Sequence, residues 1–148
     1  MLIFPDETGL AGLRETGQQK GRTTMRATIN ELPVMLEAGP SSIRGVDWGE
    51  LRLSVVTVPA GTDFAPLLKG LPNDRCQGPH WGYVLKGRVR IQYADGDEVL
   101  SQGDFYYMPP NHSGIAEEDT QFLEIVPQDL HQEFLVNARR NLEAMARA

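Results

Sequence analysis

The sequence predicts an all-β fold of sandwich or barrel type that ends in one helix, and three observations carry the prediction. Short apolar runs with period-two alternation recur between residues 51 and 126. Turn signals separate them about every ten residues. The 15 glycines and 10 prolines exceed ordinary usage and lie between these runs, which suits many turns better than long helices.

Residues 1–24, MLIFPDETGLAGLRETGQQKGRTT, begin with a brief apolar stretch and continue polar and rich in Gly and Thr. They carry no sustained periodicity, so a mobile tail is expected, with Met25 a candidate start and residues 25–148 forming a single domain. ATINELPVMLEAG (27–39) fits a short helix with Pro33 in its first turn or, equally, an extended segment. In WGELRLSVVTVPAG, Leu51, Leu53, Val55 and Thr57 alternate with Arg52, Ser54, Val56 and Val58 until Pro59-Ala60-Gly61 ends the strand. Its second half reads as buried on both faces.

Further on, Val89, Ile91 and Tyr93 alternate with Arg88, Arg90 and Gln92, and Asp95-Gly96 signals a hairpin. A second turn follows at Gly103-Asp104. FYYM is a short strand stopped by Pro109-Pro110, and QFLEIV another after the acidic turn Glu117–Asp119. From about 128 to 147 the period becomes helical, with Leu130, Phe134, Ala138, Leu142 and Met145 on one stripe and Pro127 near its start. His131, one step off that stripe, is expected to be exposed and uninvolved.

A chain of 148 residues fits one domain that buries enough surface to sustain a core. Its net charge of −6 disfavours phosphate backbones and anionic lipid, so neither nucleic acid nor membrane is an expected partner. The single cysteine excludes an internal disulfide, and neither a secretory signal nor a membrane span is read. The expectation is a soluble, cytoplasmic protein. Ser113 beside His112 is no hydrolase signal without a nucleophile elbow, and no Gly-rich phosphate loop occurs.

The chemistry-bearing stretch is DRCQGPHWGYVLKG, residues 74–87. On a straight strand, residues four apart lie about 13 Å from each other, too far to share one ion. A bend at Gly78-Pro79 lets Cys76 and His80 converge, and His112, after the Pro-Pro-Asn turn, is the third candidate. A thiolate with imidazoles suits zinc, iron or nickel, and three protein ligands leave a position open for a substrate. Tyr83 and Tyr106 are candidates for contact with a small-molecule ligand, although aromatic strand residues more often pack the core. The rival reading is a pocket whose histidines only form hydrogen bonds.

Residues 48–127 resemble the cupin superfamily, small double-stranded β-helix or jelly-roll barrels. That family's first motif runs His-x-His, three or four residues, Glu, six residues, Gly. Counted back from Gly87, His80 falls on the glutamate position and Cys76 and Asp74 on the two histidine positions. Of the second motif Gly103 and Pro109 match, Asn111 replaces the glycine, Gly114 stands at the histidine and His112 is displaced by two. The resemblance implies a divalent metal ion (zinc, iron, nickel or manganese) held by Cys76, His80 and His112, with Asp74 a fourth candidate. It also implies a small organic substrate of the kind that oxygenases, isomerases and decarboxylases take, or a ligand-binding module without turnover, and pairing into homodimers. One parity question stays open. An uninterrupted strand through Gly87 puts His80 opposite Val89 and Ile91, whereas a slip at Gly87 puts it on their side, and the resemblance favours the slip.

Overall fold

A computed structural model describes residues 25–148; the tail expected over residues 1–24 lies outside them. After a single 3-10 turn at Ile29–Glu31 come β1 (Val34–Ala38), β2 (Ser41–Trp48) and β3 (Leu51–Val58), then a short helix α1 (Ala65–Leu68). There follow β4 (His80–Lys86), β5 (Arg88–Tyr93), β6 (Gly96–Ser101), β7 (Phe105–Met108), β8 (Ser113–Ala116), β9 (Thr120–Pro127) and the helix α2 (Gln128–Ala146). Both readings of residues 27–39 contain part of the outcome: one helical turn, then a strand beginning just after Pro33.

All strand pairing is antiparallel. One sheet has six strands in the order β1-β2-β3-β9-β4-β7 and the other three in the order β6-β5-β8. The two sheets face each other as a flattened jelly roll. Val56, Val84 and Phe122 of the larger sheet meet Val89, Ile91 and Ala116 of the smaller in one core, which Phe134, Leu135 and Ala138 of α2 cap. The predicted helical stripe is buried only in its first half; Met145 is exposed. From Asn137 onward the helix is also tied by polar bonds. The Asn137 and Asn141 side-chain amides donate to the carbonyls of Leu67 and Lys69, which α1 leaves without helical partners.

β3 is buried on both faces at Val55 and Val56, as its sequence reads. Its inward-facing set nevertheless includes Arg52 and Ser54, both buried. These polar residues have partners described below.

The parity question resolves toward the slip. The β4–β9 register shifts between Val84 and Lys86, and Gly87 takes φ +81 where the chain crosses from the larger sheet to the smaller. His80 and Val84 therefore share the interior with Val89 and Ile91, while Trp81 faces outward. At Gly87 a Cβ would collide with the Asp119 carbonyl oxygen and the Thr120 hydroxyl. At Gly49, also at positive φ, it would meet nothing within 4 Å. Gly49→Ala is thus expected to lose only the left-handed-backbone preference, about 1 kcal/mol. Gly87→Ala should lose at least about twice that, read as the difference in denaturant midpoints at constant slope.

Candidate metal centre

Cys76, His80 and His112 come together inside the jelly roll, all three buried, with one donor atom from each lying within 4.8 Å of the others. Local backbone geometry sets the first and last of them. Cys76 and His112 form an isolated antiparallel bridge in which the Cys76 N–H donates to the His112 carbonyl at 2.8 Å. The Asn111 N–H returns a bond to the Cys76 carbonyl at 2.7 Å, and Asn111 turns the chain at φ +74. The bend at Gly78-Pro79 then delivers His80 to β4, with its Nε2 3.3 Å from Cys76 Sγ. The His80 and His112 rings meet edge to face at 4.8 Å between centroids.

Oxygen acceptors behind the two histidines orient them. His112 Nδ1 donates to the Pro109 carbonyl at 2.7 Å, and His80 Nδ1 to Glu124 Oε2 at 2.8 Å. Each ring therefore keeps its proton on Nδ1 and turns Nε2 away from the acceptor, the arrangement found behind metal-bound histidines. A thiol and two imidazoles so oriented fit a borderline-soft divalent ion.

Glu124 was not singled out by its sequence, where it sits within an ordinary strand, QFLEIV. Alternation along β9 puts it inward with Thr120, Phe122 and Val126, and that parity is the one signal that marked it. The Ser54 hydroxyl donates to Oε1 at 2.9 Å, and His131 Nε2 approaches the same oxygen at 3.5 Å, longer than a good hydrogen bond. His131 corrects the expectation of an exposed, uninvolved residue: it is buried under α2. Arg52 Nη1 lies 3.2 Å from His131 Nδ1, and a guanidinium can only donate, so Nδ1 accepts and the proton sits on Nε2, facing Glu124. Arg52 in turn holds Asp47 through two bonds of 2.6 and 3.1 Å. A line of alternating donors and acceptors thus runs from the partly exposed Asp47 to Cys76.

The remaining sequence candidates lie elsewhere. Asp74 is outside the cluster and accepts the Gly70 N–H at 2.8 Å. Tyr83 is on the outer face of β4 against Phe105, and Tyr106 is packed on Gly82 with its hydroxyl donating to the Leu123 carbonyl. Neither lines the cavity at the cluster: alternation turns Tyr83 outward, and Tyr106, on the inward face of β7 with Met108, packs into the core against Gly82 and Phe122 instead. That cavity, about 70 Å³, is walled chiefly by apolar side chains, among them Phe64, Val89, Ile91 and Phe122.

Against these observations the known proteins can be set. A family profile described as a cupin domain matches residues 54–126. The chain belongs to the cupin superfamily. Solved structures agree on the fold. An RmlC-like cupin from Shewanella frigidimarina superposes with a TM-score of 0.53 at 13% identity, over 71% of this chain and 91% of that one. KdgF from Halomonas sp. gives 0.50 at 20% identity, over 66% and 89%. Oxalate decarboxylase from Lactobacillus farciminis gives 0.54 at 16% identity, over 72% of this cupin and 33% of the larger enzyme. No curated protein matches the sequence.

Electrostatics couple the cluster. Burial opposes charge on Glu124, but the positive charge of His80 and the donors from His131 and His80 hold its carboxyl well below the usual range. Burial likewise works against protonating His80, yet the Glu124 charge and the bonds to Cys76 and Glu124 push it up to about 10. For Cys76 burial raises the thiol, and the bonds and charges of His112 and His80 overcome it, bringing it down to about 6. In metal-free protein, thiolate absorbance in the ultraviolet should therefore titrate near pH 6. With His80→Ala or His112→Ala the midpoint should move up toward the ordinary thiol range; an unmoved midpoint would mean that the histidines do not stabilise the thiolate.

Proposed function

We propose that this cupin holds one divalent ion through Cys76, His80 and His112 and acts on a small organic molecule in the adjoining cavity. The observation that carries the reading is the orientation of the donor set: two histidines with Nδ1 anchored to oxygen acceptors, and a thiol 3.3 Å from one Nε2. An ion bound there supplies Lewis-acid or oxygen chemistry, the kind shared by isomerases, decarboxylases and oxygenases. The chain's own residues divide the remaining work. Glu124 keeps the proton on His80 Nδ1, Cys76 contributes an anionic donor, and the apolar wall excludes water and strengthens each polar contact inside. A lone buried thiol suits a reducing compartment such as the cytoplasm.

A second reading, ligand binding without metal or turnover, is favoured by the Cys76–His80 contact itself, which satisfies both groups without an ion. Metal analysis of untagged protein separates the two. The metal reading expects about one ion per chain in wild type and loss of it in Cys76→Ser and His80→Ala; wild type without an ion, or variants that hold as much, would overturn it. Glu124→Gln should weaken binding about 10- to 100-fold. Because metal-free His80 keeps its proton up to about 10, binding must release it, so affinity should rise at least about tenfold per pH unit between 6 and 10. Below about 6 the Cys76 proton adds to the slope.

The proposed partner is a second copy of the chain. Supporting it, the outer face of β4 and the edge strand β7 presents Trp81 stacked on Tyr107 at 5.3 Å, beside Phe105, which is 85% exposed. Light scattering at micromolar concentration should give a dimer, and Trp81→Glu with Phe105→Glu a monomer of unchanged melting temperature; a wild-type monomer would refute the pairing.

A further inference from the structure

A second cavity, of about 180 Å³, adjoins the one at the cluster. The two share Ile43, Val56 and Phe64 as walls. Ile43 and Val56 are fixed by the β2–β3 pairing, in which they stand directly opposite each other. Phe64 is carried by the loop before α1, is only partly buried, and is held by its N–H bond to the Gly114 carbonyl at 3.0 Å. Beyond it the second chamber is bounded by Leu36, Val58, Leu67, Leu142 and Met145, drawn from β1, β3, α1 and the far end of α2.

Charge is the more selective feature. Among the described residues no Lys or Arg lines either chamber. At the cluster a dipositive ion would be offset by the Cys76 sulfur and the Glu124 carboxylate, and Glu124 is engaged by Ser54 and His80. A ligand carboxylate or phosphate would therefore add an unanswered negative charge to an apolar enclosure, which carries a large desolvation penalty. At the outer chamber the ionisable wall residue is Asp63, which adds a further negative charge.

We propose that the site takes a neutral ligand with an apolar chain, its polar end beside Cys76, His80 and His112 and its chain running past Phe64 into the second chamber. This rests on the metal reading only for the role of the first chamber; the charge and size argument holds with or without an ion. Phe64 sets the chain length that enters.

Calorimetric titration of the whole chain with 1-alkanols from butanol to decanol, and with alkanoates of matched length, tests it. Affinity for the alcohols should rise about fourfold per methylene, the figure for burial of one CH₂, until both chambers are filled. Alkanoates should bind at least about tenfold more weakly at each length. Phe64→Trp should flatten the rise for long alcohols and leave the shortest unchanged, and Phe64→Ala should favour the long ones. Alkanoates binding as well as alcohols, affinity independent of length, or two Phe64 variants that behave alike would each overturn the proposal. Metal analysis of the same wild-type sample keeps the questions apart: no ion with the length dependence intact removes only the metal reading, whereas an ion present with alkanoates preferred removes only this one.

Discussion

The structure is organised around the buried carboxylate of Glu124. A carboxylate out of water is tolerated only when several donors converge on it. Here they come from three other elements: Ser54 on β3, His80 on β4 and, at longer range, His131 on α2. β9, which carries Glu124, lies between β3 and β4 in the larger sheet. Its two hydrogen-bonded neighbours thus each supply a donor: Ser54 stands directly opposite Glu124 on β3, and His80 reaches it from two residues before Gly82, the facing residue on β4. A shift of either register by one residue would turn its donor outward and leave the charge unanswered.

The same requirement explains the inward polar residues of β3. Arg52 is buried yet fully engaged, with two bonds to Asp47 and further contacts to His131 and Gln132. Arg52 fixes the tautomer of His131 from one side and Glu124 faces its Nε2–H at 3.5 Å from the other, so the first turns of α2 dock by electrostatics as well as by the burial of Phe134 and Leu135. The far half of α2 lacks such a partner on the sheet and relies on Asn137 and Asn141 closing off the end of α1. Helix, sheet and cluster are in this way one polar construction inside an apolar shell.

Much of the fold was legible because it depends on period and turn chemistry, which are local. β3, β5, β7, β9 and α2 follow from alternation, Pro and Gly stops, and the change to a helical period. Gly87 was legible for a different reason: the cupin-like spacing and the facing rule made incompatible demands that a glycine there could reconcile. That Cys76, His80 and His112 come together was legible from residue type and spacing. Glu124 was not, since its neighbours Phe122 and Val126 make it look like an interruption of a core strand, and its partners are 44 and 70 residues away in the chain. His131 was misread by placing the stripe one residue off: it stands three, four and seven residues before Phe134, Leu135 and Ala138, the buried set. For Tyr83, parity was available, since an odd offset from His80 on one strand places the two on opposite faces.

The exchanged ligands keep one property of the family motif. In the cupin pattern one donor is anionic, the glutamate; in the set proposed for this chain the anionic donor would be Cys76, on the position of a histidine, with His80 in the glutamate's place. The single negative donor has moved off the strand and onto the bridge with His112, where two backbone bonds to the Cys76 carbonyl and one from its N–H hold it. The strand position now carries an imidazole, whose orientation has to be set from behind, and Glu124 is what sets it. The negative charge that left position 80 therefore reappears one layer deeper as well as at Cys76. Unlike a three-histidine and glutamate set, this arrangement would place two anionic groups about a bound ion, offsetting a dipositive charge before any ligand arrives.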